Sequence, residues 1–423
     1  MDKTLYVSDL DGTLLRSDER TSSFTNDVIN TLTSRGMVFS YATARSFNTA
    51  RKVTQGLDAK IPLIVYNGVS IIDNVTGELL LTNYFDDSVY GLLRRLEEAG
   101  ISPIVYAHID GRECFTYVPG LVSPGAMTFI NSRQGDPRMN PVSTTSELAL
   151  GRIFYITCID EPYKLLPVLQ EYEDTYRLFY QKDIYTGDQW LEIIPRECSK
   201  SNAILKLKEL YGCSRIVVFG DGKNDIDMFE LADESYAVEN AHEDLKKVAT
   251  GIIASNDEDG VAKWLLGRVG VSLEKATTDD IEDVWKMQVE AFEGLYEKYR
   301  DDDTSPARDP MSRVTERFAQ EGSVYYYIVA KGERVGVIRV VDKKDGSRKR
   351  ISPLWIMPEY RGKGYAQMAI LAAEAIYGSD NWSLDTILQE KGNIHLYEKM
   401  GYHRVGESEK INERMDIVFY EKD

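Results

Sequence analysis

Two acids, Asp9 and Asp11, end the apolar run Leu5-Tyr6-Val7, and Gly12 and Thr13 follow them. Far downstream, Val217-Val218-Phe219 runs into Gly220-Asp221-Gly222-Lys223-Asn224-Asp225, a second strand-like run ending in acids. In an open α/β sheet, ligands collect beyond the carboxyl ends of the strands. Both acid-tipped strands are therefore expected to converge on one divalent cation, and oxygen-only ligands favour Mg²⁺. The expected ligands are Asp9, Asp11 through its carbonyl, Asp221 and Asp225. Asp9 can attack phosphorus to give an aspartyl phosphate, which splits ester hydrolysis into two easier displacements. Asp11 can protonate the leaving alcohol and then activate water. The metal offsets repulsion between an anionic attacker and an anionic substrate. Thr43 and Lys200 can neutralise the transferring oxygens. An Asp-Gly pair alone is a common turn signal. The ordered set of motifs is what points to metal-dependent phosphoryl transfer.

Such residues need a scaffold that brings strand ends together. Strand-like and helix-like patterns alternate from the start: Thr4–Ser8, helix Phe24–Ser34, strand Met37–Ala42, helix Ser46–Gln55, strand Ile61–Tyr66. The alternation resumes at helix Ser199–Leu210, strand Arg215–Phe219, helix Asp225–Leu231 and strand Ser235–Val238. This predicts βαβ units and a Rossmann-like parallel sheet, with Thr43 after a strand and Lys200 at a helix start. Between Tyr84 and about Gln189, aromatic and β-branched runs mix with helices Val89–Glu98 and Tyr163–Tyr172, predicting an inserted α+β cap. After Trp264-Leu265-Leu266-Gly267 the pattern restarts, with a hairpin Val324–Ala330 and Val335–Val341 and a strand Arg350–Met357. The expected organisation is a core of residues 1–83 and 190–268, a cap of 84–189, and a separate α/β domain of 271–423.

Asp9–Thr13, Thr43, Lys200 and Gly220–Asp225, in that order, resemble the haloacid dehalogenase superfamily of phosphatases across roughly Met1–Leu266. Ala237-Val238-Glu239-Asn240-Ala241, Asn256–Val261 and the large mid-chain cap are similar to subclass IIB, the Cof-like group. That resemblance implies Mg²⁺-dependent hydrolysis of a small phosphorylated metabolite, a sugar or cofactor phosphate. It also implies substrate contacts at Gly12, Thr13, Ala44, Arg45, Asn67, Gly68 and Asn224. The family often has glycine before the arginine, where this chain has Ala44, small enough to keep the loop. Arg45 remains open between substrate contact and a helix-capping or solvated role. A phosphosugar mutase is the alternative within the same subclass.

The stretch Pro358-Glu359-Tyr360-Arg361-Gly362-Lys363-Gly364-Tyr365-Ala366 follows a strand and runs into a helix. Its glycines let backbone N–H groups approach an anion at the positive end of that helix. With Leu396-Tyr397-Glu398-Lys399-Met400-Gly401-Tyr402 downstream, residues 271–423 resemble the GNAT acetyltransferase family. The resemblance implies that Arg361, Gly362, Lys363, Gly364, Tyr365 and Ala366 hold the acetyl-CoA pyrophosphate. It further implies that Tyr397 protonates the departing thiolate after a small amine attacks the thioester. Family members often carry asparagine two turns before the tyrosine; this chain has Glu390 there and Asn393 one turn before. Pro353 within the CoA-facing strand predicts a bulge. A metabolite-sensing protein with a silent acetyltransferase module is the alternative of another class.

The chain has 423 residues, 43% hydrophobic and 28% charged, an ordinary globular composition long enough for more than one core. Its net charge of −18 argues against general nucleic-acid binding, which needs clustered cations. Cys114, Cys158, Cys198 and Cys213 lie far apart without a CxxC pair, as in a reducing compartment. No signal-peptide pattern or membrane-length apolar run is present, so a cytoplasmic protein without membrane partners is expected. The acids from Glu290 to Asp303 and the cations from Lys343 to Arg350 read first as solvated faces.

Overall fold

Leu5 and Val7 are buried because their strand, Thr4–Asp9, lies inside a sheet between two parallel neighbours. The computed structural model describes residues 3–58, 62–182 and 187–423. Met1, Ile61 and residues 183–186 of the expected cap lie outside the described residues.

The eight-stranded sheet runs in the order Gly251–Ile253, Glu234–Val238, Arg215–Gly220, Thr4–Asp9, Val38–Ala42, Pro62–Val65, Ser70–Asp73, Leu79–Thr82. Its central pairs are parallel, and the hairpins from Pro62 onward are antiparallel. The strand Thr4–Asp9 pairs Ser8 with Phe219 and Asp9 with Ala42, so the acid motifs and the Thr43 loop leave the same end of the sheet. Local capping fixes the approaches. Ser199 accepts from the backbone of Asn202 to start the helix Lys200–Leu210, and Ser46 accepts from Thr49 to start Phe47–Val53.

A six-stranded sheet follows the order Tyr176–Lys182, Gln189–Pro195, Arg152–Ile159, Ile104–Ile109, Arg112–Tyr117, Met139–Pro141. Leu191, Ile193, Ile156, Cys158, Val105 and Ala107 join an apolar core with Leu92, Leu96, Leu165 and Val168 from the helices Val89–Glu98 and Pro162–Tyr172. The strand Gln189–Pro195 carries this sheet past residue 189, where the sequence pattern ended the insertion.

A seven-stranded sheet has the order Ser272–Lys275, Ser323–Ala330, Glu333–Val341, Lys349–Ile356, Trp382–Ile387, Asp416–Lys422, His403–Lys410. Tyr325 and Tyr327 face its core with Trp355, and Tyr325 stacks on Phe318 with ring centroids 4.4 Å apart. The ladder slips opposite Pro353, between Ile338 and Val340, which is the expected bulge; Arg339 fills it by donating to Ser352 O at 2.8 Å. The chain divides into two compact units, Met1–Arg20 with Val38–Ile252, and Thr21–Met37 with Ile253–Asp423.

Candidate active sites

The oxygens of Asp9, Asp221 and Asp225 come within 4.8 Å of one another. Lys200 lies among them: its buried Nζ donates to Asp225 Oδ1 at 2.7 Å and to Asp9 Oδ1. Asp225 is held from behind, its Oδ2 accepting from the backbone of Asp221 at 3.2 Å and Gly222 at 3.1 Å. Thr13 Oγ1 donates to Asp221 Oδ1 at 2.8 Å, and Asn240 Nδ2 donates to Gly12 O at 2.8 Å. Gly12 has φ of +73°, and a Cβ there would sit 2.5 Å from Asp221 Oδ2. Conformation and space both demand glycine at that turn.

The electrostatics fit a cation site. Burial pushes the Asp9 carboxyl well above the carboxylate range, opposed by Lys200 and reinforced by Asp225 and Asp221. Asp221 is raised to about 6, chiefly by burial and then by Asp225. Burial works against the Lys200 charge, but Asp225 and Asp9 outweigh it and hold the ammonium above the ordinary lysine range. Three crowded carboxylates around a single ammonium leave an excess of negative charge in a low-dielectric place. An all-oxygen donor set of that kind suits a hard divalent ion.

The Asp11 side chain stands outside this group. It is half-exposed and grips Arg45, whose Nη2 is 2.5 Å from Oδ1 and whose Nε is 3.0 Å from both oxygens. Thr43 is buried and accepts at Oγ1 from the Arg45 backbone at 3.1 Å, so one loop sets both residues. Asn67, in the left-handed conformation, donates its backbone N–H to Thr43 O at 2.9 Å, and Gly68 presses against Ser199. Ala44 and Asn224 are exposed beside this loop and the Asp221 loop respectively. Lys223 pairs with Asp244 at 3.0 Å on the surface and is no ligand.

Sequence reasoning passed over a second layer of residues. A cavity of ≈ 240 Å³ is lined by Ala44, Arg45, Ser46 and Thr49 together with Tyr66, Tyr106, Tyr155, Trp190, Glu192 and Arg133. Tyr66 donates to Glu113 at 2.5 Å, and Arg138 is held by Glu113 at 2.6 Å and Asp136 at 2.7 Å. One signal could have found Glu192: a lone acid in the apolar strand Trp190-Leu191-Glu192-Ile193-Ile194.

In the C-terminal unit, the strands Lys349–Ile356 and Trp382–Ile387 pair only at Lys349 with Trp382 and Arg350 with Ser383, then part. The loop after the first strand turns through Gly362 (φ +71°) and Gly364 (φ +65°) into the helix Tyr365–Tyr377, whose first N–H groups have no intrahelical acceptor. Arg361 does not point freely outward. It donates to Ile356 O at 3.1 Å and Ala291 O at 2.5 Å, stapling the loop in place. Lys363 donates to Glu359 O at 3.2 Å, and Ala366 lies in the helix's first turn.

Tyr397 is buried between the rings of Tyr402 and Tyr420, and burial raises its hydroxyl above the usual phenol range, with Asp385 adding to the effect. Asn393 donates to Thr386 Oγ1 at 3.3 Å. Glu390 is occupied by Lys298 and Tyr299, each at 2.6 Å. The basic run is spoken for as well: Arg348 pairs with Asp423, Lys349 donates to Tyr377 O, and Arg350 pairs with Asp385.

Residues 6–265, more than half of the chain, match the haloacid dehalogenase-like hydrolases. The chain belongs to that family. Residues 289–402 match the acetyltransferase (GNAT) family. This haloacid dehalogenase-like chain is 27% identical over 277 residues to the 5-amino-6-(5-phospho-D-ribitylamino)uracil phosphatase YwtE of Bacillus subtilis, covering 61% of this chain and 95% of that protein. It is 26% identical over 268 residues to the phosphatase YitU of the same organism, covering 62% and 96%. A haloacid dehalogenase-like hydrolase from Bacteroides thetaiotaomicron shares the fold with a TM-score of 0.52 at 24% identity, covering 62% of this chain and 98% of that one. The molecule is an enzyme in which a haloacid dehalogenase-family phosphatase domain is fused to a GNAT acetyltransferase domain. Among the described residues, no helix is long and apolar enough to cross a membrane.

Proposed function

We propose that the first module is a Mg²⁺-dependent phosphomonoesterase for a small phosphorylated metabolite, and that the second acetylates a small primary amine from acetyl-CoA in the cytosol. On this reading residues 1–83 and 190–268 form the phosphatase core, except for the strand Gln189–Pro195, which joins the cap of 84–189, and 271–423 form the acetyltransferase. The carrying observation is the convergence of Asp9, Asp221 and Asp225 within 4.8 Å around Lys200. These carboxylates would hold Mg²⁺, with the Asp11 carbonyl as a further oxygen; the ion supplies charge neutralisation for attack on a phosphate dianion.

Asp9 attacks phosphorus, and the alkoxide leaves with a proton from Asp11, giving an aspartyl phosphate. Asp11 then takes a proton from water, which attacks the same phosphorus and restores Asp9. Lys200 fixes the Asp9 oxygen that does not attack, and Arg45 fixes the direction of Asp11. Thr43 and the Gly12-Thr13 backbone contact the transferring oxygens. In the second module the loop from Gly362 to Ala366 offers backbone N–H groups to a pyrophosphate. The amine adds to the thioester carbonyl, the C–S bond breaks, Tyr397 donates its proton to the departing sulfur, and the proton the nitrogen loses passes through solvent to restore the tyrosine.

Asp9→Asn removes the nucleophile while keeping its shape. Phosphate release in Mg²⁺ should vanish, and undiminished release would refute the assignment.

A further inference from the structure

The helix Ser23–Thr33 lies within the phosphatase sequence, yet the segment Thr21–Met37 belongs to the same compact unit as residues 253–423. Gln367, in the helix that follows the glycine-rich stretch, donates Nε2 to Thr31 Oγ1 at 2.8 Å. The chain then leaves Ser23–Thr33 in a tight turn, with Gly36 at φ of +95° and Met37 N donating to Leu32 O at 3.1 Å. That turn sets the Arg35 side chain on the glycine-rich stretch. Its Nη1 donates to Lys363 O, and a Cβ on Gly364 would collide with the guanidinium.

A cavity of ≈ 310 Å³ opens at this place. Its walls include Met37, Val269 and Met368, and its polar lining is Arg35, Lys331 and Lys363 with the Tyr365 ring; no acid lines it. Three cations without an acid run against a chain that carries 68 acids to 50 lysines and arginines. None of the three makes an ion pair among the described residues. The Lys331 side chain has no hydrogen bond among them either, and Lys363 Nζ donates only to Glu359 O at 3.2 Å. Glu333, the acid nearest Lys331 in sequence, accepts from Tyr360 at 2.9 Å. Burial draws the Arg35 guanidinium below the ordinary arginine range, with Tyr365 opposing. Like charges crowded at a partly apolar wall repel, and a bound anion relieves that cost.

The ligand's chemistry follows by elimination. An ammonium group would be repelled, and a neutral ring would leave the cations as they are. A carboxylate brings one charge and two oxygens. A phosphate monoester brings close to two charges and three strong acceptor oxygens, which suits three cations arriving from three chain segments. Lys363 belongs both to this cavity and to the stretch assigned to the acetyl-CoA pyrophosphate. Two sources share the chemistry: the ribose phosphate of CoA itself, and free inorganic phosphate.

Resting on the acetyltransferase reading, we propose that Arg35, carried in from the phosphatase sequence, joins Lys331 and Lys363 in a pocket for a phosphate dianion beside the pyrophosphate stretch. The acetyltransferase site is then incomplete without residues that lie inside the phosphatase sequence. Calorimetry on the full chain at low salt would compare CoA, dephospho-CoA and inorganic phosphate, with Arg35→Gln and Lys331→Gln alongside. CoA should bind about tenfold more tightly than dephospho-CoA, the worth of a charge-assisted hydrogen bond, and the ratio should shrink as salt is added. Each variant should bring the ratio close to one while the dephospho-CoA affinity holds. Equal binding of both CoA forms, with inorganic phosphate held about tenfold more weakly by either variant, would uphold the pocket and name free phosphate as its ligand. Reading the difference between protein and variant cancels phosphate held elsewhere.

A CoA preference and a phosphate affinity both unmoved by the two variants would overturn the pocket and leave the acetyltransferase standing. Arg35→Gln weakening both CoA forms alike, with Lys331→Gln without effect, would make Arg35 a loop contact and overturn the pocket as well. Binding of neither CoA form, with phosphate binding that both variants weaken, would uphold the pocket and sink the acetyltransferase reading.

Discussion

The two active regions assemble in opposite ways. In the phosphatase unit the working groups are side chains brought from far apart in sequence: Asp9, Thr43, Lys200, Asp221 and Asp225 lie on separate strand ends and one helix start. In the acetyltransferase unit the proposed anion site is one unbroken stretch, Arg361 to Ala366, running from loop into helix, and the donors it would offer are backbone groups. Its charged side chains are spent on holding the loop, as Arg361 does by binding Ile356 O and Ala291 O. A gathered side-chain site fails when any one contributor changes. A backbone site tolerates side-chain changes and fails when the chain path changes.

The largest effect should come from the nucleophile. Asp9→Asn should lower phosphatase turnover by at least about a thousandfold, and chelation of divalent ions should do the same reversibly. Acetyl transfer, assayed in parallel, should be untouched by either; a joint loss would break the contrast. Next in size, Tyr397→Phe should slow acetyl transfer by about a hundredfold while acetyl-CoA binding by calorimetry holds. Collapse of binding with a sound fold would make Tyr397 a structural contact.

A paired glycine substitution sharpens the comparison further. Gly12 and Gly362 both have positive φ, but a Cβ at Gly12 runs into Asp221 Oδ2, whereas one at Gly362 meets nothing within 4 Å. Gly12→Ala should therefore cost about a hundredfold in phosphatase kcat by displacing a ligand carboxylate. Gly362→Ala should show only the backbone strain, about 1–2 kcal/mol in urea unfolding of its unit.

The smallest effect concerns pH. Burial raises the Glu192 carboxyl from 4.5 to about 7, against a hydrogen bond from Tyr155. The folded protein thus binds more protons there than the unfolded one. The stability this favours is present below about pH 4.5 and is lost as pH rises toward 7. Glu192→Leu should remove a slope on the order of 2 kcal/mol across that window, measured by urea unfolding. Glu374, also raised to about 7 by burial, is common to both proteins and cancels in the difference.

Much of the fold was readable because buried parallel strands are near-continuous apolar runs and their acids fall at the ends. The helix Val89–Glu98 matched its pattern to the residue, and the strands Ser323–Ala330, Glu333–Val341 and Lys349–Ile356 fell within two residues of their expected runs. The helices Pro124–Asn131 and Met311–Ala319 and the strand Trp382–Ile387 were not legible. They are short, and their polar positions mask the period. At the site, the acids that converge on Lys200 announced themselves by spacing. The Asp11–Arg45 grip and the cap face could not, because pairing across strands depends on register, which no local motif encodes.

The cap sheet keeps its apolar core and its cavity lining on opposite sides of the same strands. Leu191 and Ile193 point into the apolar core while Trp190 and Glu192 between them face the cavity. Substitution at Trp190 can therefore change the front without touching the back, whereas Tyr155 and Phe115 on the same front are themselves fully buried. The catalytic floor beneath has no such spare side, and drift there ends in an inert protein.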